Sequence, residues 1–157
     1  MTGKSTAAYP FGDLLALARQ SWLTEMAGRL AQRGYDDYRR TDAATTRLLL
    51  RRGQVPVGQL GTALGVTRQA ARKVAEGLAQ RGFATTSRDP DDTRQLNVAL
   101  TAVGQDYARD VIAVIGELNR EVAARVDPGQ LAAVDAVLRA ALFDKSTQQR
   151  AARLPRP

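Results

Sequence analysis

The chain has no cysteine and no histidine. Without thiols there is no disulfide, no thiolate zinc site, no cysteine nucleophile and no thiol redox sensor. Without imidazoles the commonest metal ligand and the commonest general base near neutral pH are missing too. A Ser/Lys or paired-carboxylate enzyme remains formally open, but no constellation of residues supports one. Neither an enzyme, a metal nor a cofactor is expected. No apolar run approaches the roughly 18 residues of a membrane-spanning helix. The start, MTGKSTAAYPFGDLLALARQ, lacks a signal-peptide pattern, because its apolar run LLALA is short and follows Asp13. The expectation is a soluble cytoplasmic protein without a membrane partner.

Acidic residues are the minority charge. Lys plus Arg number 23 against 16 Asp plus Glu, which leaves +7. That surplus favours polyanionic partners, nucleic acid first and anionic membrane second. The 157 residues are 44% hydrophobic, enough for one domain, or two small lobes sharing a core, and too apolar for wholesale disorder.

Residues 1–12, with Gly3, Pro10 and Gly12, read as a loose arm. Asp13 is placed to cap a helix running to about Arg33, with Gly34 as its stop. Leu15, Ala18, Trp22, Met26 and Leu30 step along it by three or four and form one face. Thr41 or Asp42 then caps a short helix ending at Gly53, with Leu48, Leu49 and Leu50 on its buried side. QVPV is a brief extended piece, since Pro56 disfavours helix at Val55. Helices over 58–65 and 67–81 follow.

The period then changes. Leu96, Val98 and Leu100 alternate with Gln95, Asn97 and Ala99, which is strand spacing with one buried face. Phe83 to Arg88 supplies the partner strand, and DPDD between them supplies a turn, so a two-stranded hairpin with an exposed polar tip is expected. Thr101 caps a long helix with Val103, Tyr107, Val111, Ile115, Leu118, Val122 and Val126 as its apolar stripe. Asp127 caps the last helix, Pro128 fits its first position, and Leu131, Val134, Leu138 and Leu142 stripe it. The basic end, 144–157, with Arg150, Arg153 and Arg156, reads as a mobile tail.

Helix, turn, helix and hairpin in that order define a winged helix-turn-helix unit. Leu60 and Leu64 anchor its first helix, Gly61 is small where the helices cross, and Gly65 suits a turn that needs positive φ. Val66 is expected to plug the turn, with Ala71, Val74 and Leu78 facing inward from the second helix. Thr67 is that helix's expected N-cap. On its other face lie Arg68, Gln69, Arg72, Lys73 and Glu76. An α-helix fits the major groove, where Arg bonds guanine and Gln bonds adenine bidentately. Lys73 suits a phosphate, and so do Thr67 and the free amides at the helix start. The plainer reading of this face is a solvated cationic surface on a core helix pair. The turn glycine, the plug valine, the small crossing residue and the hairpin argue against it. Arg88 and Arg94 flank the hairpin tip, where an arginine can enter a minor groove. Asp92 and Arg94 can instead brace the turn, and the acidic Asp89, Asp91 and Asp92 restrict any phosphate contact to a narrow one.

The stretch VGQLGTALGVTRQAARKVAEGLAQRGFATTSRDPDDTRQLNVALTAVG resembles the core of the MarR (multiple antibiotic resistance regulator) family of bacterial transcription factors. Its wing is similar to the family's D-P-x-D-x-R followed by a strand and L-T-x-x-G, with Asp92, Arg94, Leu100, Thr101 and Gly104 on the marked positions. The similarity is strong over 55–104 and architectural over 13–54 and 105–142. The resemblance implies a homodimer knitted by its first and last helices. It also implies a recognition helix over 67–81, a wing arginine at Arg94, and repression relieved by a small, often phenolic, ligand. The chain departs from the family's cysteine- and histidine-based sensors, and its second helix lacks the proline-glutamine start often seen there.

The expected class is therefore mainly α with a small β-hairpin. A winged helix-turn-helix lobe (55–101) joins a helical dimerisation lobe (13–54 and 102–143). The terminal stripes are longer than the winged unit can cover, which points to a homodimer, with intramolecular cover of 13–33 by 102–126 as the alternative. Two-fold symmetry predicts a pseudo-palindromic duplex site with half-sites about 10 bp apart. Trp22, Met26, Tyr38 and Tyr107 are candidates for an effector pocket, with Arg47 for an acidic ligand; each is otherwise ordinary core or surface. The competing function is a winged-helix protein-interaction module that docks an acidic protein and does not bind DNA specifically.

Overall fold

The computed structural model describes residues 9–154. Most of the expected N-terminal arm, residues 1–8, lies outside the described residues, as does Arg156. In chain order the elements are α1 (Phe11–Ala31), α2 (Arg40–Arg52), β1 (Val55–Pro56), α3 (Val57–Leu64) and α4 (Arg68–Gln80). Then come β2 (Ala84–Arg88), β3 (Leu96–Leu100), α5 (Ala102–Ala123), α6 (Pro128–Ala140) and α7 (Lys145–Ala151). The class is mainly α with a small antiparallel sheet, and the winged helix-turn-helix order is present.

Two hydrophobic clusters hold it together. Under the winged unit, Leu48 and Leu49 of α2 meet Val57 and Leu60 of α3, Ala71, Ala75 and Leu78 of α4, and Val98 of β3. The second cluster joins Met26 and Leu30 of α1, Ala43 of α2, and Tyr107, Val111, Val114 and Leu118 of α5. Phe83 packs against both. Helix α2 is the shared wall, and its buried Thr45 and Thr46 satisfy their hydroxyls on the carbonyls of Thr41 and Asp42, at 2.7 and 2.8 Å.

Several local expectations change. Pro10, not Asp13, precedes α1, and Asp13 sits in the first turn, where a carboxylate meets the positive helix end. Arg39 precedes α2, and neither Thr41 nor Asp42 caps it, because both lie inside the helix and Asp42 turns inward to Arg81. The expected hairpin is a three-stranded sheet in the order β1-β3-β2. Val55 pairs with Val98 and Pro56 with Asn97, so the proline occupies an edge strand, where a missing donor is tolerated. β3 is the middle strand, paired along both edges, and Asn97, expected to face solvent, is buried, with its Nδ2 donating to Asp89 Oδ2.

The terminal stripes are only partly used within the chain. From α1, Met26 and Leu30 are buried, while Leu14, Leu15 and Leu17 stay exposed. On α5, Val114 is fully buried while Ile115 is only partly covered, and Val103 and Val122 are exposed; Val126, expected on the same stripe, lies exposed beyond the helix end. Nothing on α6 is buried; Val134 and Val137 are each 52% exposed. The C-terminal half of α1 therefore does pack on the chain's own α5. Arg29 reinforces it with two bonds to Glu121, at 2.6 and 2.9 Å, and Arg33 bonds Glu117 at 2.6 Å. Residues 145–151, expected to be loose, form α7, capped by Asp144 accepting from the Thr147 amide at 2.8 Å.

Candidate nucleic-acid interface

Gly61 and Gly65 set the angle between α3 and α4. A Cβ on Gly61 would lie 3.1 Å from the carbonyl oxygen of Val66 and 3.4 Å from Ala71 Cβ, so the turn closes tightly only over glycine. Gly65 has φ +70°, the left-handed region. Val66 does not plug this turn; it is 39% exposed, since Gly61 already lets the Val66 backbone close over α3 through its amide bond to the Gly61 carbonyl at 2.9 Å. Thr67 is the N-cap, its Oγ1 accepting from the Ala70 amide at 3.2 Å. Its hydroxyl proton is left for an outside acceptor.

Buried Ala71, Ala75 and Leu78 seat α4 on the core and turn Arg68, Gln69, Arg72 and Lys73 to solvent. Arg72 Nε donates to Glu76 Oε1 at 3.1 Å, one turn along, with both side chains more than half exposed. Such a pair is worth about 0.3–0.5 kcal/mol, so a phosphate or a guanine edge displaces the carboxylate readily.

The wing is organised by Asp89. Its Oδ1 accepts from the amides of Asp91 and Asp92 at 2.9 and 3.3 Å, and its Oδ2 from the side chains of Gln95 and Asn97 at 3.0 and 3.3 Å. These bonds, the Asp91 amide first, hold its carboxyl below the usual carboxylate range. Asp92 Oδ1 accepts from the Arg94 backbone amide at 3.0 Å, which braces the turn without engaging the Arg94 guanidinium. Arg88 is different. Its Nη1 donates to the Thr93 carbonyl at 2.6 Å, so this wing arginine closes its own loop and is not presented like Arg94. The organising role of Asp89 was missed in the sequence, where it counted as one residue of the DPDD turn and as a repulsive charge. An Asp opening a DPDD turn is the available signal, since a short carboxylate bonds amides two residues on.

Arg68, Gln69 and Arg72 of α4 share one cleft with Arg94 of the wing, about 350 Å³ in volume and completed by Val57 and Leu96. Three guanidinium groups and an amide thus converge from two elements. Among the described residues no cluster of His, Cys, Asp and Glu suits a metal ion. No helix there is long and apolar enough to cross a membrane.

The five effector-pocket candidates separate. Met26 and Tyr107 are each 1% exposed and belong to the core. Tyr107 stacks on Phe83 at 4.6 Å between centroids and meets Tyr35 edge-on at 4.9 Å, so neither Met26 nor Tyr107 presents an open wall. Trp22, Tyr38 and Arg47 are half-buried. Burial lowers the pKa of Arg47 and raises that of Tyr38, and the two side chains are close enough to influence each other. Arg47 makes no ion pair among the described residues; its Nε donates to the Ala43 carbonyl at 3.2 Å.

The geometry is that of a winged helix-turn-helix protein with an exposed recognition helix. No protein-family model and no curated protein sequence matches the chain. Solved structures do. A probable transcriptional regulator from Pseudomonas aeruginosa is 26% identical with a TM-score of 0.69, over 85% of this chain and 97% of that one. The PcaV transcriptional regulator from Streptomyces coelicolor, in complex with its natural ligand, is 20% identical with a TM-score of 0.70, over 90% and 96%. A mutant MarR from E. coli complexed with operator DNA is 18% identical with a TM-score of 0.70, over 90% and 99%. The chain has the fold of the MarR-type winged-helix transcriptional regulators.

Proposed function

We propose that the protein is a homodimeric, sequence-specific DNA-binding transcriptional regulator. It acts as a repressor and leaves DNA when a small anionic or phenolic ligand binds. The observation that carries this reading is the cleft in which Arg68, Gln69 and Arg72 of the recognition helix face Arg94 of the wing. A helix presenting Arg and Gln reads major-groove edges, and a wing arginine beside it suits the adjoining minor groove. Lys73 and the Thr67 hydroxyl serve phosphates. The similar MarR structure holds operator DNA, which agrees with this use of the fold.

The uncovered apolar side chains support a second copy. Leu14, Leu15 and Leu17 on α1, with Val134, Val137 and Leu138 on α6, make surfaces that a two-fold partner can bury. Such a dimer presents two α4 helices to half-sites about 10 bp apart. For the effector, Arg47 and Tyr38 are the favoured contacts: a half-buried cation without a carboxylate attracts an anion, and a neutral phenol donates to it. Trp22 is the third half-buried candidate. The similar PcaV structure holds a natural ligand of that protein.

The direct test is a gel-shift titration on a duplex recovered from a randomised pool. Arg72→Ala is expected to weaken binding to that duplex by about 1–3 kcal/mol and to relax base preference. Equal affinity before and after the change would remove α4 from base recognition. Binding that barely responds to salt would remove phosphate contact altogether.

A further inference from the structure

The C-terminal helix carries cations that the recognition helix and wing do not account for. Helix α7 is built into the fold. Arg139 Nη1 of α6 donates to the Ala151 carbonyl at 2.7 Å, and Gln148 Nε2 donates to the Leu142 carbonyl at 2.6 Å. Ser146 and Arg150, one turn apart, share a face of α7. That face meets the turn between α3 and α4. A Cβ on Gly65 would lie 3.3 Å from Arg150 Nη1 and 3.9 Å from Ser146 Oγ. Arg153 follows in the turn just beyond the end of α7.

The Arg150 side chain is exposed and forms no ion pair among the described residues. It rests against the turn that leads directly into Thr67 and Arg68. Beyond that turn, Arg68 and Arg72 of α4 share their cleft with Arg94. The cationic surface therefore continues from the wing, across the recognition helix, to α7. An arginine at the turn lies outside the stretch of α4 that faces base edges. Its contact is to the sugar-phosphate backbone, which adds affinity and register but no base discrimination.

We infer that α7 is part of the nucleic-acid interface and that Arg150, seconded by Arg153, binds a DNA phosphate beside the base pairs facing α4. This rests on the reading that α4 enters the major groove. The juxtaposition of Arg150 with Gly65 is the observation behind it.

The experiment uses the full chain, a duplex recovered from a randomised pool and a scrambled duplex of the same length. Affinity is measured over a salt series for wild type, Arg150→Ala and Arg150→Lys, with thermal melting to confirm folding. Arg150→Ala is expected to weaken binding roughly three- to tenfold on both duplexes and to lower the salt slope by about 1 per protomer. Arg150→Lys keeps most of both, because a phosphate accepts a point charge. An unchanged affinity and slope in Arg150→Ala overturns the assignment, and so does tighter binding, which would make α7 a shield over the turn. A wild-type protein that does not prefer the recovered duplex overturns the reading of α4 itself and α7's part with it. A wild type that discriminates normally, beside an inert Arg150→Ala, overturns α7's part alone.

Discussion

Asp42 of α2 and Arg81, the residue that closes α4, form an ion pair through Oδ2 and Nη2. The carboxylate side chain is 7% exposed and the guanidinium side chain 21%. Arg81 also lies over the Phe83 ring at 5.6 Å, and Phe83 stacks on Tyr107 of α5. One end of α4 is thus tied through Arg81 to α2 directly and to α5 by way of the Phe83 ring, while its other end presents Arg68 and Gln69 outward.

Breaking that pair from the arginine side orphans the buried carboxylate, and breaking it from the aspartate side leaves Arg81 with the longer carboxylate contact to Asp37, at 3.9 Å. Asp42→Ala is expected to cost about 3 kcal/mol in urea unfolding, and Arg81→Met at least as much, because the more deeply buried carboxylate is then orphaned. The double change, Asp42→Leu with Arg81→Met, is expected to be milder than either single change. Additive losses would show that the pair does not act as a unit.

Asp89 is expected to govern the wing without governing the core. Asp89→Ala removes the acceptor of four hydrogen bonds at the tip. It frees Arg94 from its position beside α4 and weakens DNA binding by about 1–2 kcal/mol while the melting temperature moves little. The same logic sets the acid behaviour of this group. Its folded pKa is lowered, so its contribution is present above the ordinary carboxylate range and fades as pH falls through the folded value. A variant with unaltered affinity would show that the wing keeps its shape by other means.

Gly104 tolerates no side chain. A Cβ there would run into the carbonyl group of Phe83, with the carbonyl carbon at 2.7 Å. That carbonyl is held in place, since its oxygen accepts from the Thr101 amide at 3.1 Å and Thr101 Oγ1 donates to the Gly82 carbonyl at 2.6 Å. Gly104→Ala is expected to destabilise by about 3 kcal/mol, read as a lowered melting temperature. Gly116→Ala, where only the flexible end of Arg120 lies near, is the control and costs far less.

Alkali is expected to unfold the protein through its tyrosines. Burial is the first cause that pushes both Tyr35 and Tyr107 up to about 12 from 10.0; Tyr35 also donates to Asp110 at 2.9 Å. A raised folded pKa favours the neutral phenol in the native state, so the stabilisation is complete below pH 10.0 and is lost as pH climbs through about 12. A spectrophotometric titration should show these two phenols ionising together with unfolding. Ionisation of every tyrosine near 10, with the fold intact, would contradict the burial argument.

The arrangement of helices was legible in the sequence because local chemistry sets it. Thr67 and Thr101 cap the helices they precede, Gly65 takes the left-handed turn, and Pro128 opens α6. Each of those outcomes depends on neighbours within four residues. Other facts depend on residues far apart in the chain. That Asp42 faces Arg81 instead of capping α2, and that Val55 adds a strand to the wing, follow only once α2, α4 and β3 meet. That Met26 and Tyr107 fill the core while Leu15 and Val134 do not, and that Arg150 reaches Gly65, also follow only from tertiary contact. An apolar stripe states that a face wants cover; which part of it is covered within the chain depends on how far the opposing helix extends. A row of arginines states that a surface is cationic. Which of them stay free, as Arg94 does and Arg88 does not, depends on the acceptors the folded backbone brings within reach.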